Sequence, residues 1–139
     1  MDEFNPPGTA HLTADQRAQF RAALELFADD ALERSPAEVH ELLSDGSIQV
    51  IDVREIYERE QGHIPGSRHI EIERLAWNSP TIDRKRPVYF CCRLGLRAQL
   101  AAHAFRRIGF EAYNVTGGFA AWHAEGLPVV PEHGSVADH

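Results

Sequence analysis

The sequence predicts an α/β fold of three layers: a central parallel sheet flanked by helices, with an extra amphipathic helix ahead of it. Three observations carry this expectation. The runs IQVIDV and VYFC are short, β-branched or aromatic and apolar, which suits strands buried on both faces. Helical patterns alternate with these strands, and alternation requires crossover connections and therefore parallel pairing. The 139 residues hold one such domain with little to spare.

Taken in order, residues 1–11 contain Pro, Gly and Asn without periodicity and read as a loose leader. Thr13 and Gln16 form the signature of a capping box, and Phe20, Leu24, Phe27 and Ala31 follow at helical spacing, so an amphipathic helix is expected over 13–33. Ser35-Pro36-Ala37-Glu38 starts a second helix, and Ser44-Asp45-Gly46 stops it. A strand over 48–53 ends at Asp52 and Arg54. EIYEREQ then reads as a charged helical turn or loop, and GHIPGSRHI as turn chemistry leading into a brief strand over 68–70. After a polar connection comes a strand over 88–91. From Arg97 a helix is clear, with Leu100, Ala101, Ala104, Phe105 and Ile108 as its apolar face and Gly109 at its end. EAYNV is a further strand, GGFAAWHAEG a short helix, and LPVV a closing extended piece.

Composition narrows the function classes. A net charge of −7 argues against general nucleic-acid binding, which needs a basic face to neutralise phosphates. No apolar run approaches the roughly 18 residues of a membrane span. The start MDEFNPPGTAHL is acidic and Pro-rich where a secretory signal is basic and then apolar, so a cytoplasmic protein is expected. The two cysteines, Cys91 and Cys92, are neighbours and cannot join distant strands; both are expected to be free thiols. With no third cysteine and the histidines scattered singly, a zinc site is not expected.

The chemistry concentrates in CCRLGLRA. A strand ends at Cys91 and a helix begins near Arg97, and in open α/β sheets ligands bind at such carboxyl ends of strands. A loop feeding a helix start points unpaired N–H groups inward, and the helix dipole adds positive charge. That setting favours the thiolate, which is the nucleophilic form of cysteine. Gly95 permits the loop to curl around the sulfur, and Arg93 and Arg97 supply charge for an anionic substrate. Cys91, by contrast, reads as packing material in an apolar strand.

At this point the sequence resembles a single-domain rhodanese of the thiosulfate sulfurtransferase family. VIDVRE, GHIPGS, CRLGLRA and GGFAAW stand in the order and rough spacing of that family's blocks. The resemblance implies a rhodanese domain over 35–131, preceded by the leader and helix (1–34) and followed by a tail (132–139). It implies that Cys92 is catalytic and carries sulfur as a persulfide, that the backbone amides of Arg93, Leu94, Gly95, Leu96, Arg97 and Ala98 line the pocket, and that no metal or organic cofactor takes part. The four residues between Cys92 and Arg97 match the shorter, sulfur-transferring loop. Related phosphatases and arsenate reductases insert one more. An arginine directly after the cysteine resembles thiosulfate users, while Leu94 and Leu96 make the loop greasier and bring a persulfide donor into view.

The implied reaction passes sulfur from a small anionic donor to cyanide, a thiol or a protein acceptor. The alternatives are a non-catalytic module for partner binding or redox sensing and, less in keeping with the loop, a phosphatase or arsenate reductase. Asp52 with Arg54 reads as an ion pair shaping the site from behind, and His63, Gly117, Gly118, Phe119 and Trp122 as scaffold. Arg84-Lys85-Arg86 reads as a solvated loop, with docking of an acidic partner as the other reading.

Overall fold

A computed structural model describes residues 13–16, 18 and 30–137. Its sheet has five parallel strands, β1 (Glu33–Arg34), β2 (Gln49–Asp52), β3 (Arg68–His69), β4 (Val88–Cys91) and β5 (Ala112–Val115), in the order β1-β5-β4-β2-β3. Helices α1 (Pro36–Leu43), α2 (Ile56–Gln61), α3 (Leu75–Asn78), α4 (Leu96–Arg107) and α5 (Gly118–Ala124) connect the strands and cover the sheet. The α/β, parallel-sheet expectation holds. No helix among the described residues is long and apolar enough to cross a membrane.

The capping box expected at Thr13 and Gln16 is present. Thr13 N–H donates to Gln16 Oε1 at 2.9 Å, and Gln16 N–H donates to Thr13 Oγ1 at 3.1 Å. Phe20, Leu24 and Phe27 lie outside the described residues. The expected helix end at residue 33 is corrected: Asp30–Leu32 is a single 3-10 turn and Glu33–Arg34 a strand. The reason is tertiary, since Leu32 is buried in the core and β5 takes β1 as its edge partner. Ser35 Oγ accepts from Glu38 N–H at 3.2 Å to start α1.

EIYEREQ, left between turn and loop by the sequence, is helix α2. Its capping box runs through Glu55 and Glu58 rather than Ser or Thr.

Strand alternation divides the core in two. Ile51, Val53, Val88 and Phe90 face α4 with Phe105 and Phe110, while Val50, Tyr89, Cys91 and Val115 face α1 and α5 with Val39, Phe119 and Trp122. The face of α4 also departs from expectation. Ala98, Ala101, Ala102 and Phe105 are buried, whereas Leu100 and Ile108 are exposed and join Ala104, Ile72 and Leu75 along a shallow apolar groove of about 420 Å³. The helix is rotated by its first turn, where the Arg97 side chain is turned inward.

At the carboxyl end of β2, Arg54 grips Asp52 with two side-chain bonds, Nε to Oδ1 at 2.9 Å and Nη2 to Oδ2 at 2.8 Å. Nη2 also reaches the Gly62 carbonyl at 2.7 Å, and the guanidinium lies 4.5 Å over the Phe119 ring. Both partners are buried. Burial alone would push the Asp52 carboxyl up, but the hydrogen bonds and charge of Arg54, with help from Arg59, outweigh it and hold the group below the usual carboxylate range.

Asp52→Asn is therefore expected to cost about 3–5 kcal/mol at neutral pH by leaving Arg54 uncompensated. A carboxyl depressed in the folded state stabilises above its unfolded value near 3.9, and that contribution disappears as pH falls through the folded value. Urea melts from pH 7 to pH 2 should accordingly show a steeper acid loss for the native chain than for the variant below about pH 4.

Candidate active site

Cys92 is the first residue after β4, and its side chain joins Phe90 on the α4 side of the sheet. The chain then turns through Arg93, Leu94 and Gly95 into α4. Gly95 is the N-cap, with φ of 103°, a left-handed conformation that suits glycine and turns the loop back on the sulfur. Two backbone amides reach Cys92 Sγ: Gly95 N–H at 3.0 Å and Ala98 N–H at 3.4 Å. Leu96 and Arg97 stand at the first positions of α4, where no intrahelical carbonyl reaches their amides. Leu94 is exposed at the loop's outer side.

Arg97 is placed differently from a free anion ligand. Its Nη1 and Nη2 donate to Glu58 Oε1 and Oε2 at 2.7 and 3.0 Å, and both residues are buried. Burial works against its charge; the Glu58 bonds and the neighbouring Cys92 sulfur outweigh that and hold the guanidinium well above its ordinary value. Its charge thus acts on the Cys92 sulfur through the field, while Nη1 and Nη2 are committed to Glu58. Glu58 Oε1 also accepts from Glu55 N–H at 3.0 Å, so one carboxylate caps α2 and anchors the loop. Sequence reasoning missed Glu58, because nothing in a charged run marks the one member that turns inward.

The loop is clamped from its other side by α5. Phe119 N–H donates to the Cys92 carbonyl at 2.7 Å and Ala120 N–H to the Arg93 carbonyl at 3.0 Å. Gly118 makes this approach possible. Its φ is 63°, and a Cβ there would lie 2.6 Å from the Arg93 carbonyl oxygen and nearer still to that of Cys92. Arg93 itself extends from the loop, its Nε donating to the Ala137 carbonyl at 3.1 Å.

The remaining candidates fall behind the site. His63 Nδ1 contacts the Arg59 carbonyl at 3.2 Å, and burial draws its pKa down; the ring is occupied in the turn. Trp122 Nε1 donates to the Pro128 carbonyl at 2.7 Å. In the basic run, Arg84 donates to the Ile108 carbonyl at 2.6 Å and stacks on Phe110, while Arg86 pairs with Asp83 at 3.1 Å. Both arginines serve local packing. Cys91 points to the opposite side of the sheet, where burial pushes its thiol pKa well up. Among the described residues no group of three or more His, Cys, Asp or Glu side chains forms a metal-holding cluster.

Residues 35–125 match the family model described as Rhodanese-like domain. A Bacillus subtilis protein named Uncharacterized protein YqhL is 43% identical over 75 residues, 53% of this chain and 60% of that protein, so the chain spans about three-fifths of this relative. Thiosulfate sulfurtransferase GlpE of Pseudomonas aeruginosa is 36% identical over 89 residues, 63% of this chain and 80% of the relative. Among solved structures, the rhodanese-related protein from Thermoplasma volcanium is similar with a TM-score of 0.66 at 30% identity, covering 70% of this chain and 96% of that one.

Two substitutions test the clamp. Glu58→Gln keeps the shape but leaves Arg97 a buried, unpaired cation, and a loss of about 3–5 kcal/mol in chemical denaturation is expected. Gly118→Ala combines a left-handed Cβ with a backbone collision, and a loss of about 2 kcal/mol or more is expected in chemical denaturation.

Proposed function

The chain belongs to the rhodanese-like family, and from that premise we propose that it is a sulfurtransferase that carries a sulfane sulfur on Cys92. The observation that carries this reading is the sulfur's setting: Sγ receives two backbone N–H groups, at 3.0 and 3.4 Å, at the start of a helix with a guanidinium beside it. Such a cradle suits a thiolate before transfer and a persulfide anion after it.

With thiosulfate as donor, the Cys92 thiolate attacks the outer, sulfane sulfur. A sulfur–sulfur bond forms to Sγ, the bond to the sulfonate sulfur breaks, and sulfite leaves with its electron pair. Cyanide then attacks the terminal sulfur, leaving as thiocyanate and returning the thiolate. A thiol acceptor does the same to give its own persulfide, its proton going to the solvent or to Cys92. The exchange is ping-pong, with two half-reactions sharing one covalent intermediate.

In this reading the amides of Arg93, Leu94, Gly95, Leu96, Arg97 and Ala98 form the pocket wall. Gly95 and Ala98 hold the sulfur, while Arg97 contributes its field through position rather than by gripping the substrate. Residues 35–131 are the transfer unit. The name of the Pseudomonas relative favours thiosulfate as donor. A reducing compartment such as the cytoplasm suits a reaction that needs a free thiol.

Incubation with thiosulfate is expected to add the mass of one sulfur to the Cys92 peptide, and cyanide is expected to remove it as thiocyanate. Cys92→Ser should lower thiocyanate formation by more than about 10³-fold, while Cys91→Ala retains it. Absence of a sulfur adduct with every sulfane donor, or turnover that survives Cys92→Ser, would overturn the reading.

A further inference from the structure

Residues 131–137 have no part in the chemistry above, yet they are built into the site's edge. They continue from an antiparallel bridge between Val130 and His63, whose backbone bonds run both ways at 2.9 Å. Gly134 N–H donates to the Pro131 carbonyl at 2.7 Å, and His123 Nε2 lies 3.1 Å from the Gly134 carbonyl. Ser135 N–H donates to the Gln61 carbonyl at 2.8 Å, at the last residue of α2. Val136 packs against the Phe119 and Trp122 cluster. Ala137, 1% exposed, then accepts from Arg93 Nε at 3.1 Å.

Two facing glycines allow this passage. A Cβ on Gly134 would lie 2.9 Å from Gly62 Cα and 3.0 Å from the Gln61 carbonyl oxygen; one on Gly62 would lie 2.9 Å from the Ser135 carbonyl oxygen. Gly62 has φ of 170°, extended backbone that any residue adopts, so its lack of a side chain serves proximity. The segment thus runs from the end of the helix that carries Glu58 to the residue that follows Cys92. Cys92, one residue before Arg93, is only 1% exposed.

We propose that residues 134–137 are a strap across the mouth of the Cys92 loop that sets which reagents reach the sulfur, admitting small anions and low-mass thiols and holding back a cysteine presented on another protein's surface. The strap holds the Arg93 guanidinium on the Ala137 carbonyl, fixing the loop's first side chain against it. Its role as an acceptor filter rests on the sulfur-transfer reading; its role as a barrier does not.

The test separates the two. Alkylation of Cys92, followed on its peptide by mass spectrometry, is compared for iodoacetamide and for the bulkier fluorescein maleimide. Three proteins are used: the full chain, a chain ending at Pro131, and Gly134→Ala, whose added methyl wedges the strap and which decides the matter if the shortened chain does not fold. The maleimide rate is expected to rise by about tenfold or more in the variants while the iodoacetamide rate stays within about threefold. Sulfur transfer to reduced thioredoxin, relative to cyanide, should rise in the same sense. Equal acceleration of both reagents, or none, overturns the strap. If the alkylation contrast appears but no donor loads sulfur, the sulfurtransferase reading fails and the strap stands.

Discussion

The buried pair between Glu58 and Arg97 is the constraint on which the site depends. Removing two charges from water is costly, and their attraction compensates only when geometry is good and the remaining hydrogen-bonding capacity is used. Here the Nη1 and Nη2 groups of Arg97 meet both carboxylate oxygens, and Glu58 also caps α2. Three things follow from that one contact. The α2 helix is fixed at the carboxyl edge of the sheet, α4 is rotated about its first turn, and the Gly95 and Ala98 amides are aimed at one sulfur atom. The exposed Leu100 and Ile108 are the other side of the same rotation.

A second polar layer supports the first. Asp52 holds Arg54, which covers Phe119, whose own amide holds the Cys92 carbonyl. Arg59 ties Asp52 to the β3 turn, its Nη2 donating to the Ser67 carbonyl at 2.7 Å. The loop is thus held through its backbone by α5 and through its side chain by α2, and neither clamp touches the sulfur.

Much of this was legible in the sequence because the signals were local. β-branched runs gave β2 and β4, Ser35-Pro36 gave the start of α1, and the interval from Cys92 to Arg97 marked a strand-to-helix turn with a cysteine at its head. What stayed hidden needed a distant partner. Glu58 looks like its charged neighbours until Arg97, 39 residues on, selects it. Gly118 reads as turn chemistry until the carbonyls of Cys92 and Arg93 occupy the space where its Cβ would be. The face of α4 followed its inward arginine rather than its bulkiest apolar residues, and residues 30–34 followed the open edge of β5 rather than their helical spacing.

The two adjacent cysteines point to opposite sides of the sheet, one into each half of the core. Many sulfur-handling sites pair a loading thiol with a second that expels the cargo as sulfide by closing a disulfide. Strand alternation denies Cys91 that part, and no third cysteine exists to take it. In the proposed reading, sulfur carried on Cys92 would find no second thiol of this sequence to expel it, so its lifetime would be set by the acceptor that arrives from outside. Under the proposed function, the pleat of one strand would make the loaded protein a store that this pair of cysteines cannot discharge.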